Sequence, residues 1–165
     1  MAATASTVDQ NYEQVSYSGP GLSQHKAAAR KIISDGVATR QLLAKESGSL
    51  CLYDRAAGVV YTLPSPVAGM FFDFATSVTI TSNAAKVQTN LATEFILGAV
   101  ALVNDAATTA ESFLANGTSH VGCSSNGTTT GGVAGDYYRV TAVNSTQWLI
   151  NGVLINSGTA ATPFV

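Results

Sequence analysis

A chain of 165 residues is long enough to bury one real core, and nothing in its length calls for a second domain, so it reads as one domain with or without a terminal arm. A formal charge of −2 and only 11% charged residues, against roughly 25% in an ordinary soluble domain, weigh against a nucleic-acid surface and leave Thr, Ser, Asn and backbone to face solvent. Such a surface loses little ionic hydration when a neighbour covers it, so an oligomer or an assembly is the expectation.

The first stretch has no sustained period and is broken at Gly19-Pro20-Gly21; residues 1–28 read as an extended N-terminal arm and residues 29–165 as a β domain. Tyr12, Tyr17 and Leu22 are the arm's apolar anchors, because aromatic side chains in an extended segment give contact area at low entropic cost. Lys26, Arg30 and Lys31 follow, in a basic stretch that continues to Arg40 and Lys45, and with the three anchors they are the expected contacts to a partner or another subunit. Residues 25–34 could begin as one helical turn before Asp35-Gly36 breaks it. The opening residues have neither a basic start nor an apolar run, so the chain is expected to stay in the compartment where it is made.

Residues 49–74 form the nucleus of the domain. Residues 50–54 and 59–63 carry apolar side chains on a two-residue period, and the turn at 55–58 ends in a glycine suited to a left-handed conformation, so the spacing predicts an antiparallel hairpin. Pro64 and Pro66 take the chain out of the sheet, and Gly69 restarts it into Met70, Phe72 and Phe74 on one face. The expected core residues are Leu52, Tyr61, Leu63, Met70, Phe72, Phe74 and Trp148.

Beyond Phe74 the turn signals at Ser82-Asn83 predict a second hairpin from residues 77–81 and 86–89, within a meander. Residues 95–103 are apolar throughout but less than half the length that spans a bilayer, which predicts a buried strand and no membrane anchor. Residues 106–115 suit helix and strand equally. Asn116-Gly117 and Asn126-Gly127 are turns flanking a short strand at 119–123, and 128–135 is the loosest loop. A last hairpin pairs residues 137–143 with 146–150 around Asn144-Ser145. Short strands at this spacing predict an all-β fold, a compact antiparallel β-sandwich or barrel, with a jelly-roll among the options.

The residue inventory offers little chemistry. There are two histidines, His25 and His120, and no nucleophile elbow. His120 and Cys123 could give two zinc ligands where a closed site needs four, and the only other cysteine is Cys51, so both thiols read as reduced packing residues and no metal or cofactor is expected. Asp73, Glu94, Asp105, Glu111 and Asp136 are scattered and read as turn or edge residues rather than as a catalytic pair. The three Asn-x-Thr triplets at Asn116, Asn126 and Asn144 read as turns. No catalytic residue is assigned and no enzyme activity is expected.

Three stretches, YDRAAGVVYTLPSPVAGMFFDF, GDYYRVTAVNSTQWLINGV and the terminal ATPFV, resemble the capsid decoration or cement proteins of tailed bacteriophages, over residues 49–165. The resemblance implies a compact β domain with an N-terminal arm, a homotrimer at three-fold positions of an icosahedral shell, and the major capsid protein as partner. It implies a location on the capsid surface after synthesis in the host cytoplasm. A second reading is a receptor- or carbohydrate-binding β domain of a virion fibre, with Tyr137, Tyr138 or Trp148 as its platform.

Overall fold

Six of the first strands alternate between two sheets instead of pairing with their neighbours in sequence. The computed structural model describes residues 30–107 and 109–165. β1 (Ile32–Ile33), β3 (Leu50–Tyr53) and β5 (Phe71–Thr76) lie side by side and parallel in one sheet. β2 (Thr39–Gln41), β4 (Val60–Thr62) and β6 (Ala85–Gln88) do the same in the other. The chain therefore climbs in stacked arches, each carrying it from the larger sheet to the smaller.

The expected hairpin of residues 50–63 is one of these arches. The turn itself is as read, with Gly58 at φ 74° and its N–H donating to the Arg55 carbonyl at 2.9 Å. β3 and β4 nevertheless belong to different sheets, so Tyr53 and Tyr61 meet edge to face across the core at 5.5 Å. What holds the chain in an arch is the neighbouring arch. The Ala56 carbonyl accepts from Thr81 and Ser82, and the Asp54 carboxylate accepts from the Ser34 hydroxyl at 2.7 Å and the Gly36 N–H at 3.2 Å. A Cβ on Gly58 would lie 2.3 Å from the Ala84 carbonyl oxygen, so the stack closes only with glycine there. For the same reason no hairpin forms over residues 77–89; only β6 is a strand, and residues 77–84 are the next arch. The possible helical turn at 25–34 falls partly outside the described residues, and Ile32–Ile33 are extended in β1.

The second half of the chain completes both sheets. β7 (Phe95–Asn104) and β8 (Ala110–Asn116) form an antiparallel pair, which settles residues 110–116 as strand. β9 (Gly122–Ser125) adds to β6 in the smaller sheet, and the terminal residues cover its outer side, with Ser124 donating to Pro163 and Val121 to Val165. β10 (Tyr137–Ala142) and β11 (Gln147–Asn156) form the expected hairpin and insert between β5 and β7. The larger sheet thus runs β1-β3-β5-β10-β11-β7-β8 and the smaller β2-β4-β6-β9. The fold is all-β, in two open sheets. Both are mixed rather than antiparallel, neither closes into a barrel, and the meander is absent.

Turn chemistry repeats itself. In Asn116, Asn126 and Asn144 the side-chain oxygen accepts from the N–H two residues on, at 3.0, 2.9 and 2.8 Å. Each Nδ2 donates to a side-chain oxygen three residues on. The three triplets are therefore built as the same Asx turn. The loop 128–135 is tighter than its composition suggests, since Gly131 and Gly132 are buried and the Gly132 carbonyl accepts from Ile80.

One core lies between the sheets. Tyr61, Leu63, Phe72, Phe74 and Trp148 are buried in it, and Met70 packs half-buried against it. Leu52 is half-buried on the other side of β3, where Cys51 and Tyr53 hold the inward positions; alternation permits one face of a strand and the sequence offered apolar residues on both. Phe74 stacks on Tyr53 and Tyr138, and the Tyr53 and Tyr138 hydroxyls share a buried hydrogen bond of 2.6 Å. Burial raises the pKa of both phenols, so both stay neutral.

Two measurements test this core. Phe72→Ala and Trp148→Ala should each destabilise by about 3 to 5 kcal/mol in urea unfolding, and near wild-type midpoints for both would exclude the packing described. Tyr53→Phe or Tyr138→Phe alone should cost about 1 to 3 kcal/mol by stranding the other hydroxyl, while the double variant should recover much of that loss. Additive losses in the cycle would rule out the shared bond.

Candidate assembly surface

The outer face of the larger sheet, turned away from the core, is where the domain departs from an ordinary solvent face. Strands in a half-buried sheet alternate apolar-in and polar-out. β7 and β11 do not. Leu97, Ala99, Ala101 and Val103 point outward on β7, and on β11 Leu149, Val153 and Ile155 lie opposite Leu97, Ala101 and Val103, with Asn151 opposite Ala99. β8 adds Leu114 opposite Ala99, and Leu114 is 73% exposed. β10 adds Tyr137 opposite Val153, and β3 and β1 extend the face with Leu50, Leu52 and Ile32.

Asn151 on β11, Ser112 on β8 and Thr141 on β10 are uncharged polar residues on this face, and one ion pair also lies on it. Asp73 sits on β5, in the middle of the sheet, with its side chain fully buried, and Arg139 on β10 is its partner in register. The guanidinium grips the carboxylate with both prongs, Nε to Oδ1 at 2.7 Å and Nη2 to Oδ2 at 2.8 Å, and lies 4.6 Å above the Phe71 ring. The hydrogen bond to Asp73 is the main cause that raises the Arg139 pKa. Read from sequence, Asp73 was a turn or edge residue; it is instead the acid half of a bidentate pair, and only the register of β5 with β10 reveals that.

The other carboxylates near buried backbone are likewise committed to structure. Glu46 accepts from the Leu43 N–H at 3.0 Å and pairs with Arg40 at 2.6 Å, while Asp35 pairs with the same guanidinium. Arg40 is thereby neutralised and leaves the basic stretch read from sequence. Glu94 accepts from the Asn90 and Leu91 N–H groups. Asp136 accepts from Gly132 and Ile155, both at 2.6 Å, yet burial outweighs these bonds and pushes its carboxyl up to about 6.

Of the arm residues, Tyr12, Tyr17, Leu22 and Lys26 lie outside the described residues; Arg30 is exposed and Lys31 half-buried. Of the alternative platform, Trp148 and Tyr138 are buried and only Tyr137, 45% exposed, faces solvent. Cys51 and Cys123 are both buried, and burial pushes the Cys123 thiol up. His120 accepts from the Asn116 N–H and stacks on Phe164. Among the described residues there is no cluster of three or more His, Cys, Asp or Glu able to hold a metal, and no helix long and apolar enough to cross a membrane.

No family model, curated protein or solved structure matches this chain.

Asp136 gives the domain a testable pH response. Its folded pKa of about 6 lies above the unfolded value of about 3.9. The folded state therefore binds more protons in between, so the stability this group contributes is full below about pH 4 and is lost as pH rises through about 6. Urea unfolding at pH 4.5 and 7 should show that decline in wild type and a shallower one in Asp136→Asn. Equal slopes in the two proteins would refute the assignment.

Proposed function

We propose that this chain is a structural protein of a virion, which binds the outside of an icosahedral phage capsid and cements neighbouring major capsid proteins. It acts as a homotrimer at the three-fold positions, with residues 1–28 as the arm that grips the shell. The observation that carries the reading, by marking the domain as a part of an assembly, is the outer face of the larger sheet, with apolar residues on adjacent strands and with Asp73 and Arg139 locked to each other. A lone soluble domain seldom presents contiguous apolar surface of that kind. The low charge and the resemblance of the three sequence stretches to decoration proteins point the same way.

The mechanism is adhesion by many weak contacts. Apolar burial contributes about 25 cal/mol per Å², and several arms on one oligomer raise the effective concentration of each, so the assembly holds more tightly than one arm. No bond is made or broken and no cofactor enters.

Co-sedimentation with shells assembled from the major capsid protein tests it. Removal of residues 1–28 should leave the thermal transition of the β domain in place and abolish most pelleting. Tyr12→Ala with Tyr17→Ala should give a partial loss, as aromatic anchors commonly dominate such contacts. Equal occupancy with and without the arm would overturn the clamp, and no pelleting by the full chain would overturn the shell as partner.

A further inference from the structure

We propose that the outer face of β10, β11, β7 and β8 is the surface by which copies of this chain bind one another, leaving the shell to other parts of the molecule. The inference rests on the reading of the protein as an oligomeric shell component, though not on its three-fold arrangement: identical faces that meet are related by a two-fold axis, so the contact assigned is that of a pair of copies.

Three observations favour a second copy over any other occupant. The first is area. β7 and β11 are ten residues long. At about 3.3 Å per residue and about 4.8 Å between strands, these two together with the seven residues of β8 and the six of β10 give on the order of 500 Å² per copy. Two such faces together bury about 1,000 Å², the least that a specific interface needs. The second is charge. Arg139 is the one cation on this part of the face and is held bidentately by Asp73 within the same subunit. A charged partner would find no complement there, whereas an identical face brings no charge that is not already paired.

The third is relief. Ala99 and Ala101 form a low strip along β7, with Asn151 and Val153 opposite them on β11 and Leu114 and Ser112 opposite them on β8. Ridge and low strip lie on one surface, so a copy can seat its leucine and valine side chains over the alanines of another. The high exposure of Leu114, 73%, and of Val153, 46%, is then the mark of a contact that a single copy leaves unfilled.

The test is the mass of the full chain in solution, by sedimentation equilibrium across micromolar concentrations without shells. Wild type should associate, and Leu114→Lys and Val153→Lys should each weaken association at least tenfold. Both positions are exposed on strand surfaces, so the thermal transition of each variant should survive, and the double variant should sediment as a monomer. Leu91→Lys, at a loop residue equally exposed but off this face, is the control and should associate as wild type does.

Association of the double variant at wild-type strength, or equal weakening by Leu91→Lys, would overturn the proposal, as would a wild type that is a monomer throughout. The shell reading is judged separately by pelleting. Monomeric variants that still pellet, at lower occupancy, would support both; a monomeric wild type that pellets fully would sink this inference and leave the shell reading standing.

Discussion

Two phenol hydroxyls buried in an apolar core must find partners, and here they find each other. The 2.6 Å bond between Tyr53 and Tyr138 ties β3 to β10, which are not neighbours in the sheet, while Phe74 on the strand between them stacks against both rings. Tyr61 reaches across from the smaller sheet, with its ring against Tyr53 and Phe74 and its hydroxyl on the Leu52 carbonyl at 2.8 Å. The aromatic seam therefore fixes the spacing of the two sheets and the register of three strands at once. A slip of one residue in β3 would turn Tyr53 outward, replace it with Leu52, and leave Tyr138 with a buried donor and no partner.

The backbone answers the same demand by a different route. In stacked arches every turn is both floor and ceiling: the Val60 N–H donates down to Ala38, and the Lys86 N–H donates to Val59. Loop carbonyls and amides that would otherwise seek water are used by the next loop in the stack. This is how a chain rich in Ser, Thr and Gly and poor in charge satisfies its loops. Side chains add to the stack, as with the Asp54 carboxylate under the first arch and the Ser77 hydroxyl on the Tyr53 carbonyl.

Much of this was legible in the residues, and the failures have one cause. Alternation and turn dipeptides located the last hairpin and placed Trp148, Phe72 and Phe74 on faces that are fully buried. The turn at 55–58 was read with its left-handed glycine in place. Yet a tight turn has the same local chemistry in a hairpin and in an arch, and the choice is made by Ala84 and Ser82, more than twenty residues downstream. The parallel pairing of β11 with β7 and the grip of Arg139 on Asp73, sixty-six residues apart, are likewise products of topology. The apolar outer face was visible only as a general shortage of charge. Residues 95–103 read as a wholly buried strand because their outward side chains are as apolar as their inward ones; the structure shows that half of them face away from the core.

The place of the final hairpin sets the order in which the molecule can be completed. β10 and β11 lie at the centre of the larger sheet, between β5 and β7, although they leave the ribosome last of all the strands. Until residues 137–156 have emerged, β5 and β7 each have one side of their backbone ladder open and the two halves of the sheet have no link through it. The native sheet is thus closed by a wedge, and its pairings span long stretches of sequence, the class of topology that folds in milliseconds to seconds. A nascent chain halted before Tyr137 carries two raw strand edges. Chaperone demand and loss to aggregation during synthesis should therefore concentrate in that interval and fall once the wedge is home.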